Sequence, residues 1–263
     1  HATEFDRSGG SAHVNSHVYT EEKRGMEEAD CVIAVSELTK KIITDRYGIS
    51  PDKVQIVYNG IDEATMPQGN DLRRMRSLKQ KGYKIVLFLG RITLQKGPDY
   101  FLRAAKRVVE CDPKVMFVVS GAGDMEEGII RLSAELGISQ NVIFTGFLTG
   151  SDRHEMYTAA DLFVMPSVSE PFGIAPLESM RLGTPVLISK QSGVSEVVQH
   201  ALKVDFWDID AMAERILSIV SYPSLSVALS KNAKQEAKGL TWAEAAIKIE
   251  HVVESLVQRH ARR

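Results

Sequence analysis

The chain has 263 residues, of which 44% are apolar and 25% are charged, so its composition can supply a sizeable buried core. The formal net charge is only -2, which leaves no overall basic surface and argues against nucleic acid as a partner. Cys31 and Cys111 have no C-x-x-C spacing, so the sequence indicates neither a zinc site nor a disulfide and favours a reduced, cytoplasmic setting. No apolar run approaches the roughly 18 residues of a membrane-spanning helix.

Short apolar runs alternate with amphipathic segments along the chain. The apolar runs predict buried parallel strands at residues 32–35, 85–89, 115–119, 142–144, 162–165 and 186–188. Between them, the spacing of apolar residues predicts helices that include residues 97–110, 125–136, 152–159 and 176–182. This alternation is typical of an α/β fold with a doubly wound parallel sheet.

Two further segments depart from the alternation. Turn residues and a proline between Asn59 and Asn70 predict a linker between two domains. From Asp208 onward the tail is predicted to be helical, with Asp208 or Asp210 as its N-cap. These two aspartates also form a D-x-D pattern that holds a metal in some enzymes, but the cap accounts for them. The histidines after His1 show no metal-ligand spacing, so no metal site is predicted.

The segment 170–178, Glu-Pro-Phe-Gly-Ile-Ala-Pro-Leu-Glu, gives the strongest functional signal. It follows the predicted strand 162–165, and ligands of open α/β sheets bind at the carboxyl ends of strands. Gly173 lets the backbone approach a ligand closely, and Pro176 suits the start of a helix whose N-terminus favours an anion. The carboxylates of Glu170 and Glu178 can accept hydrogen bonds from sugar hydroxyls. The alternative is that Glu178 only complements the helix dipole and Glu170 is solvated.

A second candidate site follows the predicted strand 85–89, in the segment 90–97, Gly-Arg-Ile-Thr-Leu-Gln-Lys-Gly. Arg91 offers a planar guanidinium and Lys96 a point charge, a pair that can neutralise a diphosphate. Positioned cations of this kind stabilise the charge that develops on a departing diphosphate, which would remove the need for a metal. Alone, the segment could equally be a solvated turn with two surface cations.

Three other segments give weaker signals. Gly121 belongs to a glycine loop after a predicted strand that could lie against a nucleotide, although entry into a helix also explains it. Phe147 and Leu148 could contact a base, and packing is at least as good an explanation. The run from Ser192 to Glu196 has the pattern of a capping box, which is sufficient reason for its residues.

Together these motifs resemble those of one family. Gly90-Arg91 with Lys96-Gly97, followed by the segment 170–178, is similar to the GT-B glycosyltransferases of family 4, the glycosyl transferases group 1. Segments 29–37 and 57–62 resemble that family's domain junction, so the similarity covers nearly the whole chain. The resemblance implies a GT-B type fold with Rossmann-like doubly wound parallel sheets. It also implies retaining transfer of a sugar from a nucleoside-diphosphate sugar, with neither a metal nor another cofactor.

The resemblance assigns a role to each matched residue. Arg91 and Lys96 would bind the donor diphosphate, Glu178 would hold the ribose hydroxyls, and Glu170 would lie near the donor sugar. His1 is similar to a histidine that lies near the donor sugar in such enzymes, although a terminal histidine alone indicates little. The predicted catalytic residues are His1, Arg91, Lys96 and Glu170, and the predicted donor-binding residues are Gly90, Gly121, Phe147, Leu148, Phe172, Gly173, Ile174, Ala175 and Glu178.

The family pattern also predicts a domain organisation. Members carry a first Rossmann-like domain before the histidine, so we expect residues 1–65 to be the end of that acceptor-side domain and its linker. Residues 66–240 would form the nucleotide-sugar-binding domain, and residues 241–263 a helix that packs back towards the first domain. We expect this chain alone to bind donor weakly and to turn over poorly.

The resemblance leaves the partners broad. A UDP- or ADP-sugar donor is expected, with a sugar, polysaccharide or lipid-linked acceptor, and a lipid acceptor would bring the protein to a membrane surface. Two other functions stay open from the sequence: a nucleotide-sugar epimerase of the same fold and a non-catalytic nucleotide-binding module. The epimerase would isomerise the donor without an acceptor, and the binding module would bind nucleotide without turnover.

Overall fold

The computed structural model describes residues 1–7, 14–62 and 73–261. The first part of the chain contains a small sheet in which two short strands pair in parallel. Its elements are α1 (Glu4–Arg7), α2 (Ser16–Glu28), β1 (Val32–Ala34), α3 (Glu37–Tyr47) and β2 (Val54–Ile56). Ala34, Ile43 and Val54 are at the centre of a local apolar cluster that joins the sheet to α3.

The second part is built on a parallel six-stranded sheet in the order β5-β4-β3-β6-β7-β8. Its first elements are α4 (Arg73–Gln80), β3 (Lys84–Leu89), α5 (Pro98–Cys111), β4 (Val115–Ser120), α6 (Glu126–Glu135), β5 (Val142–Gly146) and α7 (Gly150–Ala159). They are followed by β6 (Leu162–Met165), α8 (Ala175–Leu182), β7 (Val186–Ser189), β8 (Leu202–Val204), α9 (Ile209–Ser221), α10 (Pro223–Ala237) and α11 (Trp242–Ala261).

Both faces of the larger sheet are buried, as a doubly wound fold requires. Val86 and Phe88 of β3 belong to the apolar cluster that includes side chains of α5 and α9. Ile85 and Leu87 of the same strand point to the opposite cluster, which includes side chains of α7, α8 and α10. Since successive side chains of a strand alternate between faces, a strand covered on both faces must be apolar throughout. The predicted doubly wound α/β fold is therefore confirmed.

The predicted strands all form, and the helical tail from Asp208 is confirmed. Asp208 is the N-cap of α9, where its side chain accepts a hydrogen bond from the N–H of Ala211. Two strands, β2 and β8, were not predicted because each has three residues with a polar one in the middle, Gln55 or Lys203, and so forms no apolar run. Residues 63–70 of the predicted linker lie outside the described residues. Just before them, the N–H of Ile61 donates a hydrogen bond to the carbonyl of Leu240 at 3.0 Å.

The two parts of the chain contact each other beside the loop that follows β6. Ser36, the N-cap of α3, donates its hydroxyl to the carbonyl of Pro171 at 2.6 Å. Glu196 accepts hydrogen bonds from the first two N–H groups of α3, at 2.8 Å each. The predicted capping box at Ser192 and Glu196 is therefore wrong: Ser192 makes no cap hydrogen bond, and Glu196 caps a helix that is distant in sequence.

Neither cysteine is in a disulfide: Cys31 is half-buried and Cys111 is exposed, and both are free thiols. Among the helices in the described residues, none combines the length and the apolar character needed to cross a membrane.

Candidate functional site

A cleft of about 460 Å³ opens at the carboxyl ends of β3 and β6. Its walls come from the loops after these strands, from α7, from the start of α8 and from the first residues of the chain. Most of the predicted site residues line it, namely His1, Gly90, Arg91, Lys96, Glu170, Phe172, Gly173, Ile174, Ala175 and Glu178. The structure thus brings the two strongest sequence motifs together in one site.

The loop after β6 is held by the segment after β7. The N–H of Glu170 donates to the Gln191 carbonyl at 3.0 Å, and the Glu170 carbonyl accepts from the N–H of Gly193 at 2.9 Å. The N–H of Val194 adds a bond of 2.7 Å to the Phe172 carbonyl. Because these bonds tie the loop to the sheet scaffold, Glu170 has a fixed position at the edge of the cleft.

Gly173 and the start of α8 bring backbone to the cleft. Gly173 has φ of 95°, a region that L side chains rarely adopt, and a Cβ there would lie 2.9 Å from the Cε of Met165. Helix α8 begins at Ala175, one residue before the predicted start, and Pro176 is its second residue. Within the described part of the chain, no side chain caps this helix, and because Pro176 has no N–H, the N–H groups of Ala175 and Leu177 are the donors that its first turn offers to an anion.

The two predicted cations occupy different electrostatic settings. The Nζ of Lys96 forms an ion pair with the carboxylate of Glu170, which also accepts a hydrogen bond from the Ser167 hydroxyl at 3.4 Å. Arg91, which is exposed, donates to the neutral side-chain amide of Gln95 at 3.2 Å. Gln95 is buried and also holds the loop after β6, through its carbonyl and the N–H of Val168 at 2.9 Å. Lys96 is therefore held in place by Glu170, and the guanidinium of Arg91 is accessible to a ligand.

Glu178 has two partners that sequence reasoning missed. Its Oε1 forms an ion pair with Nη2 of Arg153 at 3.0 Å, and its Oε2 accepts a hydrogen bond from the hydroxyl of Tyr157 at 3.2 Å. Burial, and to a lesser degree the negative charge of Glu178, raises the pKa of Tyr157 well above its ordinary value, so the hydroxyl remains a donor. The sequence did contain a signal for this pair: Arg153 and Tyr157 are four residues apart in a predicted helix, and residues with this spacing share one helix face.

Three predicted donor-binding residues do not line the cleft. Gly121 packs against the end of β3, where a Cβ would lie 1.8 Å from the carbonyl oxygen of Gly90. Phe147 is 74% exposed, and Leu148 packs at the edge of the apolar cluster that contains Tyr157. Close backbone packing is thus a sufficient reason for Gly121, and the roles of these three residues in donor binding remain predictions.

The acidic residues of the D-x-D pattern have structural partners. Asp208 caps α9, and Asp210 forms an ion pair with Arg107 at 3.2 Å. Over residues 1–7, 14–62 and 73–261, no group of three or more His, Cys, Asp or Glu side chains is arranged to hold a metal ion. Metal independence stays a prediction about the reaction.

Sequence comparison relates both parts of the chain to sugar-transferring proteins. The family described as glycosyl transferases group 1 matches residues 70–236, and glycosyltransferase family 4 matches residues 1–65. An uncharacterized glycosyltransferase of Methanocaldococcus jannaschii is 35% identical over 206 residues, 76% of this chain and 53% of the relative. A D-inositol 3-phosphate glycosyltransferase of Salinispora tropica is 32% identical over 241 residues, 84% of this chain and 50% of the relative. The chain spans about half the length of these curated relatives.

Solved structures show the same fold. Sucrose-phosphate synthase from Thermosynechococcus elongatus matches 98% of this chain with a TM-score of 0.82 at 24% identity, over 67% of its own chain. The Anabaena protein HepE in complex with UDP-glucose matches 92% with a TM-score of 0.79 at 20% identity, over 69% of its own chain. These similarities confirm the predicted GT-B, Rossmann-like fold. With a family match that covers well over half of its residues, the chain belongs to the glycosyl transferases group 1, within glycosyltransferase family 4.

Proposed function

We propose that the protein is a glycosyltransferase that moves a sugar from a nucleoside-diphosphate sugar to an acceptor hydroxyl, with retained configuration and without a metal. The observation that carries this proposal is the set of groups that line the cleft: the cations of Arg91, Lys96 and Arg153, an uncapped helix N-terminus and two carboxylates. These groups match the diphosphate and the hydroxyls of such a donor. Family membership and relatives named as glycosyltransferases support transfer over the epimerase and the non-catalytic module.

The diphosphate would lie between Arg91, Lys96 and the start of α8. An Arg guanidinium can make two parallel hydrogen bonds to phosphate oxygens, and the free N–H groups of α8 add neutral donors with the positive end of the helix dipole. As the bond between sugar and diphosphate breaks, negative charge grows on the diphosphate, and these groups stabilise it. Metal independence follows in this proposal because the chain supplies the positive charge itself.

The carboxylates would bind the two ends of the donor. Glu178 would accept hydrogen bonds from the ribose hydroxyls, and Glu170, held by Lys96, would lie beside the transferred sugar. His1 and Ala2 line the same cleft from the opposite part of the chain, which supports a place for His1 near that sugar. HepE, solved with UDP-glucose, supports a UDP-sugar as the first donor to test. The names of the relatives support a hydroxylated small molecule, such as a sugar or polyol phosphate, as the acceptor.

Calorimetry on the chain tests the donor site directly. UDP, ADP and GDP are titrated into the wild type, Arg91→Ala, Glu178→Ala and, as a matched control, Arg107→Ala. Loss of a hydrogen bond to a charged group should weaken binding about 10- to 100-fold in the first two variants. Arg107 is in a surface ion pair with Asp210 outside the cleft, so its variant should bind like the wild type. Absence of binding by all three nucleotides, or equal affinities in all proteins, would overturn the proposed site.

Product analysis tests retention and metal independence. With water as the acceptor, and with enough protein that UDP-glucose is cleaved faster than glucose mutarotates, NMR should show α-glucose as the first anomer released. The rate should be the same with EDTA. If β-glucose appears first, retention of configuration is contradicted. If EDTA abolishes the cleavage and Mg²⁺ restores it, metal independence is contradicted. Formation of an isomerised UDP-sugar would identify an epimerase.

A further inference from the structure

We infer that Arg153 is a positioning residue that, with Tyr157, gives the nucleotide site its selectivity for ribose over deoxyribose. It would do so by holding the carboxylate of Glu178 in one orientation. This inference rests on the proposed function, because Glu178 is there the residue that binds the ribose hydroxyls. It adds two residues of α7 to a site otherwise built from the loops after β3 and β6 and the start of α8.

The geometry is that of a clamp with one donor on each carboxylate oxygen. Arg153 and Tyr157 are four residues apart, so both project from the face of α7 that packs against α8. Arg153 Nη2 lies 3.0 Å from Oε1 of Glu178, and the Tyr157 hydroxyl lies 3.2 Å from Oε2. Rotation of the carboxylate would break the hydrogen bond from Tyr157 and separate Oε1 from the guanidinium of Arg153, so these two contacts favour one orientation of its plane.

The remaining acceptor capacity of Glu178 fits a pair of hydroxyls. An ionised carboxylate offers about four lone-pair sites, and the clamp uses one on each oxygen. One site on each oxygen is left for a ligand in the cleft, which all three side chains line. Neighbouring 2′- and 3′-hydroxyls can use both sites at once, whereas a 2′-deoxyribose leaves one unused. Fixing the carboxylate therefore increases the difference in affinity between the two sugars.

Arg153 also has a donor without a partner. Its Nε is buried and has no hydrogen-bond partner within the described residues. A buried N–H without an acceptor is unfavourable, and the Arg153 side chain keeps this cost while its Nη2 contacts Glu178. Lysine would keep the charge at this position, but it would not reproduce the contact that Nη2 of Arg153 makes with Oε1 of Glu178. Arg153→Lys therefore separates a charge effect from a positioning effect.

The test measures selectivity by calorimetry, with UDP, ADP and GDP compared with their 2′-deoxy forms. Loss of one hydrogen bond to a charged group predicts that the wild type binds the ribose form about 10- to 100-fold more tightly. In Arg153→Leu the ratio of the two affinities should fall to within about threefold of unity. Arg153→Lys should give a ratio close to that of Arg153→Leu. Arg107→Leu, which removes a guanidinium from an ion pair outside the cleft, should keep the wild-type ratio.

Each outcome decides the inference. A wild-type ratio retained in Arg153→Leu, or restored fully in Arg153→Lys, would overturn the positioning role and leave the donor site intact. Binding of no nucleoside diphosphate by the wild type would overturn the proposed function and this inference together. If urea denaturation shows that Arg153→Leu does not fold, Tyr157→Phe tests the inference instead, because it removes only the hydroxyl.

In Tyr157→Phe the ratio of the affinity for the ribose form to that for the 2′-deoxy form should fall at least about threefold. An unchanged ratio would refute the clamp.

Discussion

Replacement of Gly173 by alanine should weaken both the fold and nucleotide binding. At a φ of 95°, a Cβ would lie 2.9 Å from Met165 Cε and 3.1 Å from Glu170 Cγ. The backbone strain alone costs about 1–2 kcal/mol. Relief of the contacts displaces Glu170, which is ion-paired with Lys96 in the cleft. We therefore expect the free energy of unfolding to fall by about 1–3 kcal/mol and nucleotide affinity to fall roughly tenfold or more.

Gly183→Ala is the matched control for this prediction. Gly183 ends α8 with a φ of 86°, so alanine meets similar strain, but its Cβ would be 3.6 Å from the Ser230 hydroxyl, an ordinary contact. Urea denaturation should show a loss of about 1–2 kcal/mol, while calorimetry with the best-binding nucleoside diphosphate should show wild-type affinity. Wild-type affinity in Gly173→Ala, or equal weakening in both variants, would refute the argument that Gly173 shapes the cleft.

Three further substitutions test contacts outside the cleft. Glu196→Ala removes the carboxylate that accepts from the first two N–H groups of α3, so urea denaturation should show a loss of about 1 kcal/mol. The control Glu250→Ala, on the exposed face of α11, should change the free energy of unfolding by less than about 0.5 kcal/mol. Ser169→Ala leaves the buried Asp6 without the hydroxyl that donates to it at 2.8 Å. The free energy of unfolding should fall by about 1–3 kcal/mol, and no change would show that Asp6 finds another donor. Burial, with the nearby Glu196 carboxylate, raises the pKa of Tyr58 from 10.0 to about 12 in the folded protein. The folded state therefore holds the phenol proton more tightly than the unfolded state does. The resulting contribution to the free energy of unfolding is complete below pH 10 and is lost as the pH rises towards 12. Tyr58→Phe should flatten that part of the curve of Tm against pH, and an unchanged slope would contradict the assignment.

The centre of the fold was predictable because its strands are buried on both faces. Segments 115–119 and 162–165 are continuous apolar runs, and the structure buries every residue of both. The strand β8 gave no such signal, since it lies at the edge of the sheet and is half-exposed over its first two residues. A short edge strand is defined by the neighbour it pairs with, which the local sequence does not contain.

The site was predictable in part for a related reason. Parallel strands place their carboxyl ends along one edge, so the loops that contain Arg91 and Glu170 had to lie near each other. The direct pairing of Lys96 with Glu170 depends on side-chain packing between segments that are distant in sequence, and no local pattern gives it. Glu196 shows the same limit: its spacing from Ser192 suggested a local cap, whereas its partner is α3 of the first part of the chain.

The contacts between the two parts of the chain converge on the loop that forms the cleft. Asp6 is fully buried and accepts from Ser169, the residue just before Glu170, while Ser36 donates to the Pro171 carbonyl just after it. The first part of the chain thus holds the backbone on both sides of Glu170, although Asp6 and Ser36 are not among the residues that line the cleft. A change that separates the two parts removes these two hydrogen bonds and leaves the loop to its bonds with the segment after β7, so we expect the position of Glu170 to be less well defined. Nucleotide affinity should therefore depend on the docking of the first part of the chain as well as on the residues that contact the ligand.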